Sequence, residues 1–365
     1  MAIGYGQRCG TYTSPHIINF NERISILGEP VTDEILVQAF EQVELARGDV
    51  SLTYFELTSL AAFIILQQSA LDCAVLEVGL GGRLDTVNLI DTDCAVITPI
   101  GLDHQDYLGH DLDSIASEKA GVIRAGKPVV CTQAEPPDPI LLTASELAAP
   151  LFRRGIDFDL RTEDRGSASF TMGGKGFDVS LPPLRGDHQV DNLAAALAAF
   201  VLVNPAVVDE SFAIAEAIGK CSLPGRVQLV AVSPDLYLDV GHNEHAAQAV
   251  ANYFSDRGKS DVICVLAMLT DKPAESVAQA LDPICGRWLC AGIGGQRGQT
   301  GIMLARRLES VLHDVEISHF ETLNEAMDRA GSLAGKQDTI LVFGSFLTVA
   351  AVMKWLENRM QRDGQ

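Results

Sequence analysis

Ala74-Val75-Leu76-Glu77-Val78-Gly79-Leu80-Gly81-Gly82-Arg83-Leu84-Asp85-Thr86-Val87-Asn88 runs from a short apolar stretch into an acid, and then into a glycine-rich loop holding Arg, Asp and Asn. The β-branched start predicts a buried parallel strand, and open α/β sheets take their ligands beyond the carboxyl ends of such strands. A carboxylate there suits Mg²⁺, a hard cation that prefers oxygen ligands and keeps waters and substrate phosphates as partners. A tight turn capped by Asp85 is the competing reading of the same residues.

Working outward, Cys94-Ala95-Val96-Ile97-Thr98 and Val129-Val130-Cys131-Thr132 have the same short, β-branched character, bounded by Gly, Asp or Pro. Between these runs, Leu52 to Leu71 and Leu112 to Arg124 space their apolar residues as helices do, which predicts βαβ crossovers. Alone, His104 reads more readily as a solvated or satisfied side chain than as a ligand; the strand at 94–98 leads to Asp103-His104, so two neighbouring strands would deliver Glu77 and His104 to one edge, which brings the two readings level. Residues 163–187 read as a peripheral β-hairpin turning on Gly173-Gly174-Lys175-Gly176, and an Ala-rich helix follows from Asn192 to about Val203. Leu223-Pro224-Gly225 interrupts the chain before strand-like runs resume at Leu236–Val240, Val262–Met268 and Thr339–Phe343, predicting a second α/β domain.

Polar residues follow two of those later runs, in Asp239-Val240-Gly241-His242-Asn243 and Gly344-Ser345-Phe346, where helix capping by Asn243 and Ser345 is the alternative to a ligand site. Ser14-Pro15-His16 and Glu118-Lys119-Ala120-Gly121 are weak signals alone: a cap and a solvated charge explain them as well.

A length of 365 residues fits two domains. No apolar run approaches the roughly 18 residues that span a bilayer, and the first residues lack the apolar stretch of a signal peptide, so a soluble cytoplasmic protein is expected. The eight cysteines form no Cys-x-x-Cys pair and read as reduced packing residues. A net charge of -21 excludes a nucleic-acid surface but not a small anion held by local Arg and Lys. Gly258-Lys259-Ser260 has Tyr253 where a phosphate loop needs Gly and precedes a strand rather than following one, so it reads as a surface loop.

Taken in order, Tyr12-Thr13-Ser14-Pro15-His16, Asn21-Glu22-Arg23, Leu52-Thr53-Tyr54-Phe55-Glu56, the Glu77–Asn88 loop, Asp103-His104, Glu118-Lys119-Ala120-Gly121, Leu223-Pro224-Gly225-Arg226, Asp239 to Asn243, Asp271-Lys272 and Gly344-Ser345-Phe346 resemble the bifunctional dihydrofolate synthase/folylpolyglutamate synthase branch of the Mur ligase superfamily. The resemblance implies a two-domain α/β protein. Its N-terminal part, 1–222, would be a mononucleotide-binding, P-loop-type parallel sheet, here truncated. Residues 223–365 would form a Rossmann-like glutamate-ligase domain.

It further implies an ATP-dependent ligase that joins L-glutamate to dihydropteroate and/or folates. Ser14, Glu77 and His104 match magnesium positions, and Lys119 matches a lysine carried as a carbamate; Lys119 and His104 are therefore the expected catalytic pair. Thr53, Tyr54, Phe55, Glu56, Leu84, Asp85 and Thr86 match the pterin site, and Asn192, Arg226, Asp239 and His242 match nucleotide positions. A monomer acting on small molecules, with no nucleic-acid or membrane partner, is expected.

In family members a strand, a Gly-rich Lys-Ser/Thr loop and a helix precede the Tyr-Thr-Ser-Pro-His segment. Residues 1–365 contain no counterpart, so two readings stand: a ligase presented without its N-terminus, or a catalytically inactive folate- or nucleotide-binding protein. A Mur ligase acting on peptidoglycan precursors is disfavoured, because the Thr53–Glu56 and Leu84–Thr86 segments match the folate branch.

Overall fold

A computed structural model of the chain describes every residue except 103, 104, 164, 165, 187, 210, 364 and 365. The chain divides into two compact units, Met1–Pro183 with Gln189–Cys221, and Leu184–His188 with Ser222–Gln365.

The second unit is built on a six-stranded sheet in the order Gln228–Ala231, Asp235–Asp239, Thr339–Phe343, Val262–Leu266, Cys285–Ala291, Glu316–Phe320. Only the first pair is antiparallel. Every residue of Val262–Leu266 and Thr339–Phe343 is buried, as strands covered on both faces require. Trp288, Phe254 and Phe343 fill the core against the intervening helices. From Val262–Leu266 the chain steps outward through Cys285–Ala291 to Glu316–Phe320, then returns to Thr339–Phe343 on the other side. The strand ends where this order reverses, running into Ala267-Met268 and Gly344-Ser345, are where an open sheet leaves a ligand crevice.

The first unit carries three smaller sheets. One runs Glu29–Pro30, Ile24–Ile26, Cys9–Tyr12, Cys73–Leu76 and is antiparallel except for its last pair, which aligns Tyr12 with Leu76. A parallel sheet joins Ala95–Ile97, Val129–Cys131 and Leu151–Arg153, and an antiparallel one joins Lys175–Ser180, Ser167–Met172 and Phe158–Thr162. The expectation that all three early strands are buried on both faces needs correction. Cys73–Leu76 and Ala95–Ile97 lie at sheet edges, with Val75 and Val96 exposed, and only the central Val129–Cys131 is buried throughout.

The hairpin forms on Gly173-Gly174, both at positive φ, but it is not peripheral. Its alternate residues Ala168 and Phe170, and Phe177 and Val179, face one side and are buried with Leu160 against Leu193, Leu197 and Phe200 of the Ala-rich helix. That helix, His188–Val203, begins four residues before the predicted start. None of the eight cysteines is in a disulfide. Among the described residues no helix is long and apolar enough to cross a membrane.

Candidate active site

Parallel pairing of Tyr12 with Leu76 makes the two chains leave the sheet side by side, as Thr13-Ser14 and as Glu77. Glu77 donates its N–H to Tyr12 O at 2.8 Å, and Ser14 donates its N–H to Glu77 Oε2 at 2.7 Å. The Ser14 hydroxyl and the exposed Glu77 carboxylate are thus neighbouring oxygen donors, a set that fits a hard divalent cation. His104, the third residue assigned to the metal, lies with Asp103 outside the described residues. Among the described residues no cluster of three His, Cys, Asp or Glu side chains is arranged to hold an ion.

Beyond Glu77 the loop is pinned at both ends. Asp85 accepts the Leu80 N–H at Oδ2 and the Val87 N–H at Oδ1, each at 2.9 Å, and so caps the short helix Thr86–Leu89. The capping reading of Asp85 therefore holds, while an ionised carboxylate keeps further lone pairs for a ligand. Leu84 at the loop tip is exposed. The middle of the loop is bolted to the helix Leu112–Ala120: Arg83 donates its N–H to Glu118 O and its Nη2 to Glu118 Oε1, both at 2.8 Å, and Asn88 Nδ2 donates to Gly121 O at 2.9 Å. The approach is so close that a Cβ on Gly82 would stand 2.8 Å from Glu118 O, and one on Gly121 2.5 Å from Arg83 Cα. Three separate motifs, those of Ser14, Glu77 and Lys119, are thereby gathered on connected backbone.

Thr53 and Glu56 close a capping box at the start of the helix Tyr54–Gln68, with Thr53 N–H to Glu56 Oε2 at 2.7 Å and Glu56 N–H to Thr53 Oγ1 at 3.2 Å. Hydrogen bonding of the carboxyl to the Thr53 backbone N–H, and then to the Thr53 side chain, holds Glu56 below the usual carboxylate range. The Phe55 ring lies against Gly79, where a Cβ would meet it at 2.3 Å, and 6.2 Å from the Tyr12 ring. Within this segment Tyr54 is the ring that meets solvent.

A neighbouring cluster received no role from the sequence. Arg23, buried at 7 % exposure, donates Nε to His16 Nδ1 at 2.9 Å, and its guanidinium lies over the Phe20 and Tyr54 rings at 5.5 and 5.6 Å. Burial, and then the Arg23 charge, lowers the His16 pKa. Glu22 accepts the N–H groups of Ile17, Ile18 and Asn19 at 2.7, 3.0 and 2.6 Å, which ties down the turn between Ser14 and Arg23. The Asn19-x-x-Glu22 capping box was the legible trace of that tie.

Asn192, on the long helix of the first unit, donates to Gln189 Oε1 at 3.3 Å. In the second unit, Asp239 ends its strand almost fully buried, accepting the Val227 N–H at 2.8 Å and the Gly241 N–H at 2.7 Å. Burial raises its pKa, against the opposing pull of those two N–H groups and of Arg226. Arg226 lies over the Phe346 ring at 5.2 Å, and His242 Nδ1 is 3.1 Å from Val240 O. Asn243 and Ser345 do cap the helices that follow them, and Asp271 pairs with Arg297 through both carboxylate oxygens. Gly258 ends a turn after the helix Glu244–Ser255, and Lys259-Ser260 continue as irregular chain toward the strand Val262–Leu266, with Lys259 bonded to Asp235.

Two domain families match this chain: the Mur ligase middle domain over residues 31–200, and the Mur ligase glutamate ligase domain over 225–346. The fold is that of a Mur-type ligase. The dihydrofolate synthase/folylpolyglutamate synthase of Escherichia coli K12 is 38% identical over 360 residues, covering 98% of this chain and 82% of that protein. Among solved structures, E. coli FolC in complex with DHPP and ADP superposes with a TM-score of 0.91 at 37% identity, covering 98% of this chain and 84% of the other. The bifunctional folylpolyglutamate synthase/dihydrofolate synthase of Yersinia pestis, complexed with AMPPNP and Mn ion, superposes at 0.88 with 37% identity and 98% and 84% coverage. The chain belongs to the dihydrofolate synthase/folylpolyglutamate synthase family. The comparisons lend no support to the expectations of an inactive binder or of a lost phosphate loop.

Proposed function

We propose that this protein uses ATP and Mg²⁺ to ligate L-glutamate to dihydropteroate and/or to folates through an acyl phosphate. The observation that carries the reading is the convergence of Ser14, Glu77 and the Lys119 helix on one interlocked loop, in a chain whose relatives bind ADP, AMPPNP, Mn and DHPP. The acceptor carboxylate attacks the γ-phosphate, ADP leaves, and the glutamate amine then displaces phosphate from the acyl carbon. Residues in this reaction mainly position reactants and offset charge.

Ser14, Glu77 and His104 would hold the metal, which when bound supplies charge neutralisation at the transferring phosphoryl group. Lys119, as a carbamate, would present anionic oxygens beside the loop. Thr53, Tyr54, Phe55, Glu56, Leu84, Asp85 and Thr86 would line the pterin site, where exposed Tyr54 offers a stacking face. Asn192, Arg226, Asp239 and His242 are assigned to the nucleotide. Because Asp239 is buried with both oxygens on backbone N–H groups, its part is to fix the segments that carry Arg226 and His242. The protein would work in the cytoplasm as a monomer.

The test incubates the full-length protein with ATP, Mg²⁺, glutamate and either dihydropteroate or tetrahydrofolate, measuring ADP and the glutamylated product. Product from one or both acceptors is expected and assigns the substrate range. ADP release independent of any pterin acceptor, with no glutamylated product, would overturn the proposal.

A further inference from the structure

Arg23 is a nearly buried cation that touches two segments to which the proposed function gives different tasks. Through Nε it holds the ring of His16, two residues from Ser14, and its guanidinium lies over Tyr54 in the segment assigned to the pterin. Phe20 closes the cluster, with its ring 5.7 Å from His16 and 6.2 Å from Tyr54. Burying a guanidinium is costly unless its surroundings replace water, and here a ring nitrogen and two aromatic faces do so. Such a cation is hard to explain as a surface charge. Its planar fork also favours one geometry in a way a lysine ammonium does not.

From this placement we infer that Arg23 is a positioning residue, tying the Ser14–His16 turn to the Thr53–Glu56 segment so that the metal side and the pterin side of the site keep one relative geometry. The inference rests on the proposed function. The bond to His16 Nδ1 leaves the hydrogen of a neutral ring on Nε2, and the turn cannot swing outward without breaking both that bond and the Glu22 clasp on Ile17, Ile18 and Asn19. On the other side, displacing Tyr54 would uncover the guanidinium face.

The test compares full-length wild type with Arg23→Met and Arg23→Lys. Four quantities are measured: the melting temperature, equilibrium binding of dihydropteroate by calorimetry without nucleotide, the KM values for dihydropteroate and ATP, and the Mg²⁺ concentration for half-maximal rate. Arg23→Met is expected to weaken dihydropteroate binding roughly tenfold and to raise the Mg²⁺ requirement in parallel, with the ATP KM within about twofold of wild type. Arg23→Lys recovers only part of each effect, because charge returns without the flat stack or the Nε bond. A lower melting temperature with unchanged dihydropteroate binding and Mg²⁺ requirement would reduce Arg23 to a packing residue and overturn the inference. If Arg23→Met does not fold, Arg23→Lys carries the same comparison, and unaltered binding and Mg²⁺ requirement in it refute the proposal. Wild type that neither binds dihydropteroate nor forms product would instead refute the proposed function.

Discussion

Glu77-Val78-Gly79 and Asp239-Val240-Gly241 are the same pattern, an acid, a valine and a glycine at a strand's C-terminal end, and the two units use it in opposite ways. Glu77 stays exposed, with Oε2 accepting the Ser14 N–H. Asp239, one methylene shorter and at 5 % exposure, turns back to take the N–H groups of Val227 and Gly241. Both glycines are clasped by a ring, Gly79 by Phe55 and Gly241 by Phe343, yet Phe55 is only partly buried while Phe343 is in the core. An acid after a strand therefore does not announce a ligand site. Its surroundings decide whether both oxygens are buried on backbone N–H groups, as in Asp239, or the carboxylate stays exposed with one oxygen on a backbone N–H, as in Glu77.

The largest effect separating the two acids is expected from Glu77→Ala, where ligation should fall about 10²- to 10³-fold while dihydropteroate binding and the melting temperature change little. Near-normal turnover at low Mg²⁺ would remove Glu77 from the metal site. Lys119→Ala should lose comparable activity, part of which acetate or formate restores by occupying the vacated space; mass spectrometry of the intact wild type finding an unmodified Lys119 would sink the carbamate assignment. Asp239→Ala should behave in the opposite way to Glu77→Ala. Two N–H groups lose their acceptor in the interior, so stability drops by about 2 to 4 kcal/mol in denaturant titrations.

The glycine pair sharpens the contrast further. Gly241→Ala drives a Cβ to 2.5 Å from the Phe343 ring and 2.8 Å from Asp239 Oδ1, and should cost about 2 kcal/mol. Gly79→Ala, whose Cβ meets the partly exposed Phe55, should cost roughly half that in stability and raise the dihydropteroate KM instead. Equal stability losses would show that the two rings are equally fixed.

The smallest expected effect concerns pH. Burial raises the folded-state pKa of Asp239, so its contribution to stability is fully present below the unfolded carboxylate value and is lost as pH rises through the folded one. Asp239→Asn removes that dependence, and the gap in stability between wild type and variant should shrink or reverse from the usual carboxylate range upward. A gap independent of pH would show that Asp239 does not titrate in that window.

Much of this is legible in the amino-acid sequence. Runs such as Thr339–Phe343 marked buried parallel strands, and the apolar spacing from Leu52 to Leu71 marked the helix that forms as Tyr54–Gln68, because these signals are local and written in neighbouring residues. The hairpin was legible too, but its burial was underestimated, since the core it meets is completed by Leu193, Leu197 and Phe200 of the helix that follows it. Edge position was not legible at all: Val75 and Val130 look alike in sequence, and pairing partners alone set their different exposure.

By itself, then, the sequence determined the α/β class, the caps and turns, and through motif order the family, since periodicity, capping chemistry and motif spacing act over a few residues or survive as text. Tertiary structure alone decided that Gly82 and Gly121 are glycines because loop and helix touch backbone to backbone, that Glu77 faces outward while Asp239 faces inward, and that Arg23 sits between two motifs. Those outcomes depend on burial and on contacts between residues dozens of positions apart, and desolvation, which sets the use of each charge, belongs to the folded surroundings rather than to the residue.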